Sequence, residues 1–310
     1  MRFLIIPALL MFLASCSNSS NKTEFLSGNI QAISLLGDTL YTNSSELPER
    51  LTVRIDSLIE VAEENNQPMS ALIWEARRLG YLGEYKKAVD LLTKGIEENP
   101  NNAELLRHRG HRYLSLRKFD DAISDFEKAA QLIDGTEDVV EEDGLPNALN
   151  KPTSTLHTNI YYHLGLGYYA TGQFEKAHEV YKKSVDASTN NDMMVASLYW
   201  YYMSLRRDGQ DESAGKALDM VEPDMDLIEN SSYHKLLLVF KGEFSADALL
   251  EDENNSALDD ATLGYGIGNW HYINGRTDRA ISIWEGVYAE KESWASFGYV
   301  ASEVDLARLK

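Results

Sequence analysis

Three histidines, His108, His111 and His163, are the side chains whose type and spacing could carry proton chemistry. The first two stand three apart, so a helix would put them on one face. Imidazoles so placed could relay protons near pH 6.5 or bind zinc alongside carboxylates. No thiolate could join them, because the chain has one cysteine, Cys16. The sequence has no His-Glu-x-x-His, no Gly-x-Ser-x-Gly elbow and no Gly-x-x-x-x-Gly-Lys phosphate loop. Gly264-Tyr-Gly-Ile-Gly268 misplaces the last glycine of a dinucleotide loop and reads as small residues on a closely packed helix. The histidines are therefore expected to be neutral hydrogen-bonding groups. No catalytic residue, cofactor or metal is assigned.

Charge narrows the partners. The 310 residues carry 49 acids against 29 Lys and Arg, a formal charge of −20. Nucleic acid is excluded as a partner, because its affinity is drawn from cations that release counterions. The acids are concentrated in two stretches. One holds Asp134, Glu137, Asp138, Glu141, Glu142 and Asp143; the other holds Asp247, Glu251, Asp252, Glu253, Asp259 and Asp260. Neither has the spacing of a calcium loop, and both read as solvated loops. Calcium binding is the sharper alternative for such clustered carboxylates; a further one, from charge alone, is that the first stretch folds over a binding groove and imitates its ligand.

The elements that must position these residues begin after an export segment. Arg2 precedes an apolar run from Phe3 to Ala14, the length of a signal-peptide core and too short to span a bilayer. Leu13-Ala14-Ser15-Cys16 resembles the lipobox of bacterial lipoproteins, which implies cleavage after residue 15 and acylation of Cys16. Ser17 rather than Asp follows, which in such lipoproteins implies the outer membrane. Residues 16–47 are expected to be a tether and irregular lead-in, its Asn- and Ser-rich start unable to bury apolar surface.

Beyond it the chain repeats. Glu84-Tyr-Lys-Lys-Ala88, Lys118-Phe-Asp-Asp-Ala122 and Gln173-Phe-Glu-Lys-Ala177 open helical patterns, with looser echoes at Ala214 and Ala280. The first interval is 34 residues; the second is 34 plus a 21-residue insertion, about 134–154. Ala248 divides the last interval and marks a degenerate repeat, about 229–256, with Asp252 and Asn255 where apolar residues belong. In register with the alanines, small residues recur (Ala76, Gly110, Gly165, Gly268), large ones recur (Leu92, Phe126, Tyr181, Leu218, Trp284), and Gly83, Gly172, Gly209 and Gly275 fall at the turns. From about residue 70 to 289 the chain resembles tetratricopeptide-repeat proteins, and the resemblance implies an all-α solenoid of helical hairpins. About five to six repeats are expected over 48–310, with capping helices at both ends: Leu51, Ile55, Leu58, Ile59 and Ala62 upstream; Trp294, Phe297, Val300, Ala301 and Val304 downstream. Arg107-His-Arg-Gly-His-Arg112 and Asn159-Ile-Tyr-Tyr-His-Leu-Gly165 also resemble a bacterial tetratricopeptide family without assigned activity.

The resemblance implies a concave groove lined by the first helices. Its groove-facing positions fall here on Arg77, Tyr81, Arg107, His108, His111, Asn159, Tyr162, His163, Tyr199, Trp200, Arg206, Arg207, Asn269 and Tyr272. That list is cationic and aromatic in an acidic protein. It suits a protein or peptide partner, an acidic one included, since Arg forks take carboxylates and flat rings take apolar faces. The chain is thus read as a lipid-anchored, non-catalytic scaffold. A glycan-binding surface lipoprotein and a histidine-dependent enzyme are the alternatives.

Overall fold

The computed structural model describes residues 29–42, 46–144, 146–250 and 257–310, with only the backbone from 257 to 260. The export segment, Cys16 and the residues after it lie outside that range, as do Asp252 and Asn255 of the degenerate repeat.

Helices dominate, and they pair as antiparallel hairpins. They are α2 (Pro68–Tyr81) with α3 (Tyr85–Glu98), α4 (Ala103–Ser115) with α5 (Phe119–Leu132), and α6 (Leu156–Ala170) with α7 (Phe174–Ala187). There follow α8 (Asn191–Arg207) with α9 (Asp211–Leu218), α10 (Ser231–Lys241) with α11 (Ala246–Leu250), and α12 (Ala257–Ile273) with α13 (Thr277–Ala289). Helix α1 (Glu49–Glu64) caps the first hairpin through buried Leu51, Ile55 and Ala62.

The repeat columns explain the hairpins. Ala88, Ala122, Ala177, Ala214 and Ala280 are fully buried where second helices cross first helices. The small column and the large column are one contact seen from two sides. A Cβ on Gly110 would meet the Phe126 ring at 2.8 Å, and one on Gly165 would meet Tyr181 at 2.6 Å. The glycines let a ring sit flush on the opposing backbone, and the ring fills the space. Gly83, Gly172, Gly209 and Gly275 all turn through φ of +74° to +77°, the left-handed cap that glycine adopts without strain. The second repeat puts Arg117 at this turn, at φ +62°.

Three expectations need correction. First, the lead-in is not wholly irregular: β1 (Ile30–Ile33) and β2 (Thr39–Tyr41) form an antiparallel hairpin with a bulge after Ile30. Tertiary contacts support it, since a two-stranded hairpin alone is marginal. Gln31 accepts from the Lys86 backbone N–H and Ser34 meets Tyr288, so the hairpin bridges the first and last repeats. Second, Ala248 is exposed, whereas Ala246 and Leu249 are buried; the register of the degenerate repeat was shifted, and its described second helix has only five residues. Third, α14 (Phe297–Arg308) does more than cover the last repeat. It reaches α6 as well as α12 and α13, and carries acidic side chains onto the inner face of the array. Tyr85 of the first repeat meets Trp294 edge-on at 5.3 Å, so the two ends of the array touch. Among the described residues no helix is long and apolar enough to cross a membrane.

Candidate functional site

The inner face divides into two halves. In the later half the expected groove residues are already engaged. Arg207 forks onto Asp305 at 2.8 and 3.0 Å, donates to Asn269, and lies 4.6 Å over the ring of Tyr272. Tyr199 and Trp200 are 1% exposed and Asn269 is fully buried. Trp200 lies parallel to Tyr265 at 5.7 Å and donates to the Tyr162 hydroxyl at 2.9 Å. Arg206 pairs outward with Asp211 at 2.7 Å and with the Tyr202 hydroxyl. An open groove over these residues is therefore corrected to one filled from within. Helix α14 brings Phe297, Val300 and Val304 for the apolar surface and Glu303 and Asp305 for the arginines. Phe297 seats against His111 and His163, each at 5.4 Å.

Two residues absent from the groove positions fix that helix. Arg117 Nη2 contacts Glu303 Oε2 at 2.7 Å, and the two side chains are 3% and 0% exposed. The left-handed turn at Arg117 accompanies this fork, which also donates to the Trp294 and Ser115 carbonyls. The signal in the sequence was an arginine in a column otherwise filled by glycine. Glu303 and Asp305, two acids in a buried apolar run, were the matching half.

The earlier half belongs to α2, α4, α6 and the acidic insertion. Asp138 anchors the insertion: its carboxylate accepts from the His157 backbone N–H at 3.0 Å and from Thr155 Oγ1 at 2.6 Å, reinforcing the cap that Thr155 and Thr158 place on α6. Glu141 and Leu156 donate backbone N–H groups to the Ser154 and Val139 carbonyls. The strap so held, residues 138–144, lies on the predicted arginines. Arg107 contacts Glu141 at 2.9 Å. Arg77 donates to the Glu142 carbonyl at 2.7 Å and stands 3.9 Å from Asp143. Asn159 donates to Glu141 and to Ser154. Asp134, Glu137, Asp138 and Glu142 are exposed, as in a solvated loop, whereas Glu141 and Asp143 pack on the arginines, and for these two the solvated-loop reading is corrected.

The histidines gather here. The rings of His111 and His163 are 4.4 Å apart, and His163 Nδ1 is 2.6 Å from the Asn159 carbonyl. His108 takes a contact from Arg107 at 3.1 Å. Burial first, then neighbouring arginines, holds all three well below the usual imidazole pKa, so at neutral pH they are uncharged donors and acceptors. Among the described residues no three His, Cys, Asp or Glu side chains are grouped to hold a metal ion. A cavity of about 180 Å³ opens between α2, α4 and the strap, lined by Arg77, Tyr81, Arg107, His108, His111 and Arg112. A second, of about 400 Å³, begins at His111 and Asp143 and runs along Asn159, Tyr162 and Met193 to Tyr233.

Residues 75–136 and 158–191 each match a model of the tetratricopeptide repeat. The chain carries tetratricopeptide repeats. Repeats of this kind serve protein interaction. A curated relative of the tetratricopeptide array is the BBSome complex member BBS4 of Bos taurus, 28% identical over 130 residues. That match covers 42% of this chain and 21% of the relative, so it spans about a fifth of that protein's length. Among solved structures the array is similar to YrrB, described as a tetratricopeptide protein with an unusual peptide-binding site. Identity there is 15%, coverage 76% of this chain and 92% of that one, with a TM-score of 0.43. A tetratricopeptide protein of Parabacteroides merdae gives 14% identity, 80% and 98% coverage and a TM-score of 0.44.

Proposed function

We propose that this tetratricopeptide protein is a lipid-anchored, non-catalytic scaffold that holds an acidic protein or peptide segment on the earlier half of its inner face, at Arg77 and Arg107. One observation carries the reading: both arginines are met by acidic residues of the chain's own insertion, at 2.9 Å for Arg107 and 3.9 Å for Arg77. A surface that accepts Glu141 and Asp143 in this way has the donors and charge for a competing acidic segment. The glycan alternative requires a row of exposed rings, whereas Tyr162, Tyr199 and Trp200 are buried; it is set aside. Anchoring is inferred from Leu13-Ala14-Ser15-Cys16, with the acyl chain on Cys16 and the outer membrane as its place. Cys16→Ser should release the protein from the membrane fraction, and retention there would contradict lipidation.

The binding test is a crosslinking pull-down from native membranes, comparing wild type with Arg77→Ala/Arg107→Ala. The Arg206→Ala variant, whose partner Asp211 is exposed, serves as the charge control. A protein captured by wild type and by the control but lost from the double variant supports the reading. The same capture by all three contradicts it.

A further inference from the structure

Among the described residues, Arg112 is the inner-face arginine that the chain's own acids leave alone. Arg77, Arg107, Arg206 and Arg207 each meet a carboxylate. Arg112 has no ion pair or hydrogen bond among the described residues; its guanidinium lies 5.3 Å over the ring of Tyr85. Its place is nonetheless made for it, since a Cβ on Gly80 would collide with Nη1. The surrounding protein, chiefly by burial and then by repulsion from Arg107 and Arg77, pushes its pKa down to about 10, with only Tyr85 and Tyr81 acting the other way. It remains charged at neutral pH and stays costly where it is. The Nε of Arg107, nearby, is buried with no hydrogen-bond partner.

Both guanidinium groups line the cavity of about 180 Å³. One water needs only about 10–15 Å³ of such space, so the cavity has room for a carboxylate or phosphate group with several waters. Three arginines border it, and two strap carboxylates, Glu141 and Asp143, answer Arg107 and Arg77. One positive charge is left over. The imidazoles of His108 and His111 add donors without adding charge.

We propose that this cavity is an oxyanion site, in which the fork of Arg112 takes a carboxylate or phosphate group and Nε of Arg107 and a ring nitrogen of His111 complete the donor set. Arg112 is not one of the groove-facing positions, and the site stands whether or not an acidic partner docks at Arg77 and Arg107. Its ligand is one small oxyanion group, either free or carried on the side chain of a bound peptide.

The test titrates the full chain with inorganic phosphate, with glutarate and with a glutamate-rich peptide, each against sodium chloride at equal ionic strength. The readouts are thermal unfolding and the arginine Nε–Hε NMR resonances. Saturable stabilisation is expected with at least one probe, with the Arg107 and Arg112 resonances moving first. Arg112→Gln should weaken the apparent affinity at least tenfold, and Arg206→Gln should leave it unchanged. A response to phosphate or glutarate assigns a free oxyanion; a response to the peptide alone assigns a carboxylate on a partner. The proposal is overturned if no probe exceeds chloride, or if Arg112→Gln responds as wild type does. Should Arg112→Gln not fold, Arg112→Lys, which keeps the charge and loses the fork, and the wild-type resonances decide the question alone.

Discussion

The Arg117–Glu303 pair is where single side chains have most leverage on the molecule. Arg117→Met strands a carboxylate that is 0% exposed, and losing one partner of a buried pair costs about 3–5 kcal/mol. A fall in Tm of roughly 6–20 °C is expected at about 2–4 °C per kcal/mol for a domain of this size class; thermal unfolding checks it, and a change under about 2 °C would contradict the role given to the pair. Protonation has a definite sign too. His108, His111 and His163 have folded-state pKa values lowered by burial, so the unfolded chain binds protons more readily as pH falls through about 6.5. Stability is therefore lost on going from pH 7 towards 5.5, by up to about 1.4 kcal/mol per pH unit for each histidine. Denaturant unfolding across that range should show the loss, and His163→Gln should flatten it. The sequence offers these rings no motif or thiolate to engage them, but the burial that keeps them neutral is not legible there, since His108 and His111 stand among Arg107, Arg109 and Arg112. Arg117 and Arg112 were not legible either, because one takes its partner from 186 residues away and the other stands out only by having none.

The hairpins themselves were the most legible elements, since a 34-residue period, a small column and a large column each express one local contact. That reading makes paired predictions. Gly165→Ala drives a Cβ into the Tyr181 ring and should cost about 1–3 kcal/mol by overpacking. Gly215→Ala and Gly286→Ala, on exposed helix faces with nothing within 4 Å, should each gain about 0.5–1 kcal/mol from helix propensity. Chemical denaturation of the three variants tests both directions at once. Elements whose form depends on distant partners were not legible. The β1–β2 hairpin exists through Lys86, Tyr288 and Trp294, and α11 is too short for its buried Ala246 and Leu249 to announce a register. In the sequence, charge alone offers the strap only as an alternative. Its backbone pairing with residues 154–156 has no signature in an acidic loop.

At the scale of the whole molecule, an array that sequence suggests is an open solenoid closes on itself. Helix α14 fills the inner face from within: Phe297 seats on His111 and His163, Val300 joins the core, Asp305 takes Arg207 of the later half, and Glu303 takes Arg117 outside the groove positions. That leaves the earlier half, beneath the strap, as the part able to exchange an internal acid for an external one. Hydrogen exchange of the full chain tests this division most directly. The account predicts that the amides of α14 are as strongly protected as those of α6 and α12, because all three would open only with the array, while the strap at 138–144 exchanges orders of magnitude faster by local opening. An α14 that exchanges as fast as the strap would mean that the later groove is open to partners, and the division of the inner face would be wrong.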